Sequence, residues 1–259
     1  MRPLWTGAIG FGLVNIPVKL YSATQGSEIN LDMLDKKDHS NIKYQRVNEK
    51  TGKEVPWRNI VKGYKIDNKY VVLDEKDFES ANAIKTKTID ITDFVKLEEI
   101  DSMYYEMPYY LAPDKSGVRP YELLREALDK TGKAAVASFV MRNKESLAVL
   151  RTSGKMIVLN KIRFEEEIRD PKELELTSKG TIKPAELKMA VTLIDQLTGK
   201  FDISKYKDTY TAQLMKVIKA KAKGAKPSKP HLKVVHSTAK DLMGQLKASL
   251  GTGKRKKAS

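Results

Sequence analysis

The sequence predicts a mixed β/α protein, with strands over roughly the first two thirds, helices beyond Pro171 and a basic tail at the end. Three observations carry this. Residues 2–21, RPLWTGAIGFGLVNIPVKLY, alternate bulky and small side chains with the period of two that a half-buried strand requires. Two later runs instead place Leu187, Val191, Ile194, Leu197 and Tyr210, Leu214, Val217 at helical spacing, and glycines stop them at Gly199 and Gly224. From Lys216 to Ser259 there are 13 Lys or Arg against one acid, Asp241, so this stretch holds +12 of the chain's +15.

In the opening strand, Trp5, Ile9, Phe11 and Leu13 take odd positions, with Gly7, Gly10 and Gly12 near them. Glycines weaken an isolated strand, so their concentration implies a close backbone neighbour or a sharp bend. From Val14 onward the apolar set moves to even positions: Val14, Ile16, Val18, Leu20. This slip reads as a bulge, and Pro17, which has no N–H, places the second half at an edge or a barrel corner. The pattern fits equally a buried strand in any barrel.

Residues 22–40 read as a connection with a strand at 30–34. Lys43 to Ile66 alternates basic with apolar or aromatic residues about a Thr51–Gly52 turn, so Arg46, Lys50, Lys53, Arg58 and Lys62 project from a ribbon. A second hairpin turns at Asp67 and Asn68 between Tyr64, Ile66 and Tyr70, Val71, Val72, Leu73. Residues 74–82 suggest a short acidic helix, and 84–95 and 103–112 two strands. Tyr104, Tyr105, Tyr109 and Tyr110 suit either packing or stacking on exposed bases. Pro108 and the acidic neighbours favour packing.

Pro120 opens a helix with Tyr121, Leu124 and Leu128 on one stripe and Gly132 just past its end. Residues 134–141 form a continuous buried strand, and 147–150 pairs with 156–159 across a Ser153–Gly154 turn. Arg142, Asn143 and Lys144 lie between them as a basic tip, a position suited to contacts carried on a rigid scaffold. One helix starts at Pro184 and another near Lys205. Residues 224–230, rich in Gly, Pro, Ser and Lys, make a linker. Beyond it Leu242, Met243, Leu246 and Leu250 form a short stripe, which is a docking helix or an accident of spacing in a fraying end.

The chain has no cysteine, so disulfides and thiolate metal sites are excluded. Its three histidines show no paired ligand spacing, and there is no P-loop. The acids Glu165, Glu166, Glu167 and Asp170, placed on a strand, would point to opposite faces and not converge on a metal. No cofactor is expected. Neither a signal peptide nor an apolar run near 20 residues is present, so the expectation is a soluble intracellular protein with no membrane partner. Charge is also segregated inside the first 215 residues. Residues 36–69 carry 10 bases and 4 acids, 74–114 carry 4 and 11, and 115–163 carry 11 and 4. Two basic blocks around an acidic one suit a face for a polyanion, although solvated surface charge gives the same counts.

Six collinear segments carry a resemblance to a known family. They are the opening string, KYQRVNEKTGKEVPWRNIVKGYKI (43–66), FVKLEEIDSMYYEMPYYLAP (94–113), YELLREALDKTGKAAVASFVMR (121–142), LKMAVTLIDQL (187–197) and YKDTYTAQLMKVIKAKAKG (206–224). The chain resembles the prokaryotic Ku proteins, homodimeric DNA-end-binding factors of non-homologous end joining. The resemblance implies a central antiparallel β-barrel core with a DNA-encircling bridge over 1–183, and a helical arm over 184–224 packed on the second subunit. It further implies a basic linker and tail over 225–259 that docks an ATP-dependent DNA ligase, and a cytoplasmic, nucleoid-associated place in the cell.

On that reading the protein is not an enzyme, and double-stranded DNA ends are held through phosphates by Arg46, Lys50, Lys53, Arg58, Lys62, Arg142 and Lys144. Leu187, Val191, Ile194, Tyr210, Leu214 and Val217 form the dimer interface, and Leu242, Met243, Leu246 and Leu250 meet the ligase. Two alternatives stand beside it: a barrel that binds single-stranded DNA or RNA, and a side activity in which a lysine forms a Schiff base at abasic sites.

Overall fold

The computed structural model describes residues 1–81, 87–141, 144–174, 182–224 and 244–246. Its elements in chain order are β1 (Trp5–Phe11), β2 (Val14–Ser22), β3 (Lys62–Ile66), β4 (Lys69–Leu73), α1 (Glu75–Ala81), β5 (Thr88–Lys96), β6 (Tyr105–Pro113), α2 (Val118–Thr131), β7 (Lys133–Met141), β8 (Lys144–Ser153), β9 (Met156–Ile162), α3 (Pro184–Leu197) and α4 (Thr209–Ala222). They divide into two compact units, residues 1–26 with 31–173, and residues 27–30 with 174–259.

In the first unit seven strands close a barrel in the order β1-β2-β6-β9-β8-β7-β5, with β5 returning to β1. An odd number of strands cannot alternate direction all the way round. One parallel seam is therefore required, and it is β1 against β5, Ala8 opposite Thr88 and Gly10 opposite Asp90. The other six seams are antiparallel. At the parallel seam Ala8 N donates to Lys87 O over 2.9 Å. A Cβ on Gly7 would lie 2.2 Å from that same carbonyl oxygen and 2.2 Å from the Trp5 ring. The glycines of the opening strand do admit a close backbone neighbour.

The bulge expected at Leu13–Val14 is instead a tight hairpin. Phe11 pairs with Val14, and Gly12 turns the chain at φ 58°. A two-residue turn makes the face carried by odd positions on β1 continue on even positions of β2, which is the parity change seen in the sequence. Ile9, Ile16, Val18 and Leu20 are buried, while Leu13 stands fully exposed at the tip. A register shift does occur on β5, between Ile91 and Asp93. The strand expected at 30–34 is only an isolated bridge, Leu34 to Asn41.

The core gathers the inward residues of all seven strands with Tyr121, Leu124 and Leu128 of α2. Their spacing of three and four residues puts them on one helix face. Tyr121 anchors that face through its hydroxyl, which donates to Leu111 O (2.7 Å) on β6 and accepts from Ile157 N (2.8 Å) on β9. Burial pushes the Tyr121 phenol above its ordinary range, so the proton it donates is retained. The helix begins at Val118, two residues before the proline that was expected to open it, and Gly132 ends it at φ 63°.

A second, smaller cluster of Ala134, Val149 and Ile162 lies on the outer face of β7, β8 and β9, and Ile100, Tyr104 and Tyr105 pack against it. With Tyr109 also buried, the tyrosine-rich strand is a packing element.

The second unit contains α3 and α4. Pro184 occupies the first turn of α3, where its missing N–H costs nothing. Asp208 caps α4, its carboxylate accepting from Thr211 N (3.0 Å) and from the Thr211 hydroxyl. That cap sets the start of α4 at Thr209; the residues expected to begin it, near Lys205, form a separate 3₁₀ turn at Ile203–Lys205.

Candidate nucleic-acid interface

Between β2 and β5 the chain makes an arm whose composition and exposure are unlike the barrel's. From Leu31 to Ala81 no residue is buried, and only Asp35, Val55, Leu73 and Phe78 are half-buried. The arm is built from hairpins. Val47 bridges Glu54, with Asn48 N donating to Lys53 O (2.8 Å) and Val55 N to Arg46 O (2.8 Å). Its turn is made by Asn48, whose side-chain oxygen accepts from Lys50 N (3.0 Å) and Thr51 N (3.1 Å), and by Gly52 at φ 64°. A second hairpin, β3–β4, turns at Asp67 and Asn68, both at positive φ. The second hairpin is the one expected from the sequence, whereas the expected ribbon is reduced to a single bridge about its turn, and Arg58 lies in a 3₁₀ turn at Trp57–Asn59 and not on an extended arm.

Arg46, Lys50, Lys53, Arg58 and Lys62 all lie on this arm and are all exposed. None has a carboxylate within 4.0 Å among the described residues. Two are steered by rings instead. The Arg46 guanidinium sits 4.7 Å from the Trp57 ring centroid and the Lys62 ammonium 4.9 Å from that of Phe78. Such contacts contribute about 0.5–1 kcal/mol at exposed sites and leave the cation's charge uncancelled. The residue spacing alone gave no sign of these pairs, although an aromatic eleven residues from an arginine on a ribbon is a candidate for one.

Four cations of the second basic block behave differently. Lys161 and Arg163 both pair with Glu106 (2.7 and 3.6 Å), and Arg125 pairs with Glu122 (2.9 Å) and Glu126. Lys144, at the start of β8, lies 3.6 Å from Glu167. Glu167 is held below the usual carboxylate range, first by the Phe164 N–H it accepts and then by the Lys144 charge. Residues 165–167 form a 3₁₀ turn and not the strand expected, because Glu167 folds back to receive that N–H at 3.0 Å. The structure thus separates the cations proposed from sequence. Five lie on the arm without an acidic partner among the described residues, Lys144 is paired on the barrel, and Arg142 lies outside the described residues.

The apolar stripes of α3 and α4 are open to solvent in the single chain. Leu187, Val191, Ile194, Tyr210 and Val217 are exposed, and Leu214 is half-buried. The arm carries exposed apolar side chains of its own, Trp57, Tyr64, Tyr70, Val71 and Val72 among them. Of the tail stripe, Leu246 is half-buried in a helical turn at 244–246, and Leu242, Met243 and Leu250 lie outside the described residues. Among the described residues no helix is long and apolar enough to cross a membrane.

Comparison with known proteins agrees with this architecture. A sequence model of the Ku70/Ku80 beta-barrel domain matches residues 10–189. Proteins named Non-homologous end joining protein Ku are similar along almost the whole chain. The one from Opitutus terrae is 43% identical over 264 residues, covering 99% of this chain and 95% of its own. That from Coxiella burnetii is 39% identical, covering 96% and 94%, and that from Bacillus subtilis is 38% identical, covering 98% and 83%. A seven-stranded barrel with one face of α2 packed into its core, a basic arm inserted between β2 and β5, and this similarity from end to end have one reading: the chain belongs to the Ku family of DNA-binding proteins that act in DNA repair by non-homologous end joining.

Proposed function

We propose that the chain holds the ends of linear double-stranded DNA as a homodimeric ring, without reading sequence, and that its tail recruits an ATP-dependent DNA ligase. It acts as a binding protein and not as an enzyme. One observation carries the DNA reading: five unpaired cations share an arm that buries none of its own residues. An extended, basic, two-stranded ribbon supplies point charges to phosphates and little shape for base edges, so it positions the protein without specifying sequence. The arm's exposed Trp57, Tyr64, Tyr70 and Val72 need a covering surface, as do the stripes of α3 and α4. A closed two-fold assembly is the commonest way to supply one.

In this reading Arg46, Lys50, Lys53, Arg58 and Lys62 meet the phosphate backbone, with Arg142 and Lys144 as outlying contacts. Leu187, Val191, Ile194, Tyr210, Leu214 and Val217 join the two copies, and Leu242, Met243, Leu246 and Leu250 meet the ligase. The alternative of base stacking on Tyr104 and Tyr105 has less support, since both are half-buried against the outer cluster. The test compares linear duplex with a covalently closed circle of the same sequence. A ring that loads at ends binds the linear form and leaves the circle unbound, and equal binding of both overturns the proposal.

A further inference from the structure

A cleft of the first unit is far from the cations of the arm in sequence and carries a different chemistry. Its volume is about 790 Å³, within the range of sites that hold peptides or drug-sized molecules and much larger than one inorganic ion needs. Arg151 and Asn160 of β8 and β9 line it together with Lys96, Leu97 and Glu98, and Ile100 adds apolar surface. By strand alternation Arg151 shares the outer face of β8 with buried Val149, and Asn160 shares that of β9 with Ile162. The cleft therefore opens on the outside of the barrel.

Arg151 is held in position. Its Nε donates to Asn160 Oδ1 over 2.9 Å, and Asn160 is only 7% exposed. This bond restrains the guanidinium and uses only its Nε–H, and the residue lines the cleft. Neither Arg151 nor Lys96 has a carboxylate within 4.0 Å among the described residues, although Glu98 lines the same space. A half-buried, pre-oriented guanidinium without an acidic partner is a receptor for a carboxylate or phosphate, which its fork geometry matches.

We propose that this cleft docks a segment of a partner protein that carries a single acidic side chain beside an aliphatic one. The carboxylate meets the Nη edge of Arg151 with Lys96 nearby, the aliphatic side chain lies on Leu97 and Ile100, and Glu98 accepts a peptide N–H. The acids of the surrounding segment, Glu98, Glu99 and Asp101, repel a polyanion, so the ligand is a lightly charged peptide and not DNA. The site is thereby distinct from the basic arm, and its existence does not depend on the DNA reading.

The test uses the full chain labelled with ¹⁵N, following the Arg151 Nε–H resonance during titration with acetyl-Asp-Leu-amide. A saturable shift is expected. Acetyl-Asn-Leu-amide and inorganic phosphate should each bind at least about tenfold more weakly, about 1.4 kcal/mol. Arg151→Gln should abolish the shifts of neighbouring backbone amides. Lys96→Gln, which leaves the Arg151–Asn160 bond in place, should weaken binding severalfold while both variants retain binding of duplex ends. The proposal is overturned if no shift saturates, if the Asn peptide or phosphate binds as tightly as the Asp peptide, if binding survives Arg151→Gln, or if a short duplex moves the same resonance.

Discussion

Replacing Lys50, Lys53 and Arg58 together by Gln removes three exposed, unpaired charges from the arm without touching a buried contact. Each phosphate neutralised contributes about 0.9 to the slope of log K against log salt. If all three side chains meet phosphates, the slope should flatten by about 2.7 for one arm, and by twice that if both copies grip the same duplex. Between about 50 and 200 mM salt, the wild type should then lose roughly 40-fold more affinity than the variant. Fluorescence anisotropy with a labelled short duplex across that range measures both quantities. Lys144→Gln supplies the internal control. Its charge already faces Glu167 at 3.6 Å, so its removal should change the slope by less than any of the three. An unchanged slope in the triple variant would remove the ribbon from the DNA face and sink the phosphate argument.

Further outcomes are expected at Tyr121, on α4 and in the tail. Tyr121→Phe leaves the Ile157 N–H and the Leu111 carbonyl without their hydroxyl partner, and the urea midpoint should fall by an equivalent of about 1–3 kcal/mol with the slope unchanged. Because burial raises the Tyr121 phenol, the folded chain keeps a proton that the unfolded chain releases above about pH 10. The stability linked to that proton is present below this pH and lost as pH rises through the folded value, and the phenylalanine variant should lack that component of the alkaline loss. Changing Leu214 and Val217 to Asp should give monomers by sedimentation that no longer hold DNA ends, and a variant that stays dimeric contradicts the assignment of α4. Deleting residues 254–259 should weaken DNA binding at moderate salt and spare ligase stimulation. Leu242 and Leu246 changed to Ser should do the reverse, and equal losses of one function would make the tail a single electrostatic arm.

Much of the barrel was legible because its signals are local. Alternation located β1, β2, β8 and β9, and the helix stripe of Tyr121, Leu124 and Leu128 became the face that α2 buries. What escaped were features set by partners distant in sequence or by a change of chain direction. The parity change after Leu13 has the same sequence signature for a bulge and for a two-residue hairpin, and only the pairing of Phe11 with Val14 separates them. Tyr121 was legible as an apolar residue, but the partners of its hydroxyl lie 10 and 36 residues away. Residues 165–167 were assigned to a strand because nothing in three consecutive glutamates reveals that the last folds back to Phe164. In the candidate interface, charge counts found both basic blocks but could not show that Lys144, Lys161 and Arg163 of one are paired with Glu167 and Glu106 while the five cations of the arm have no carboxylate within 4.0 Å among the described residues. Arg151 passed unnoticed because its role depends on the β8–β9 register.

The single parallel seam also shapes how this chain reaches its fold. β2 and β5 flank β1 on opposite sides, so residues 23–87 leave and re-enter the barrel two strand spacings apart, about 10 Å sideways, and offset by about five residues, or about 16 Å, along the strands. The arm is therefore a loop of 65 residues with both feet fixed in the wall, and the last seam closes only after that loop has closed. Chain statistics put the entropy of this closure about 1.8 kcal/mol above that of an eight-residue connection. A barrel in which such a linker replaces the arm should fold faster and be more stable by about that amount, as contact order and loop entropy both require. By this reckoning the arm weakens the barrel that carries it, and covering its exposed apolar side chains in the proposed dimer would offset that loss.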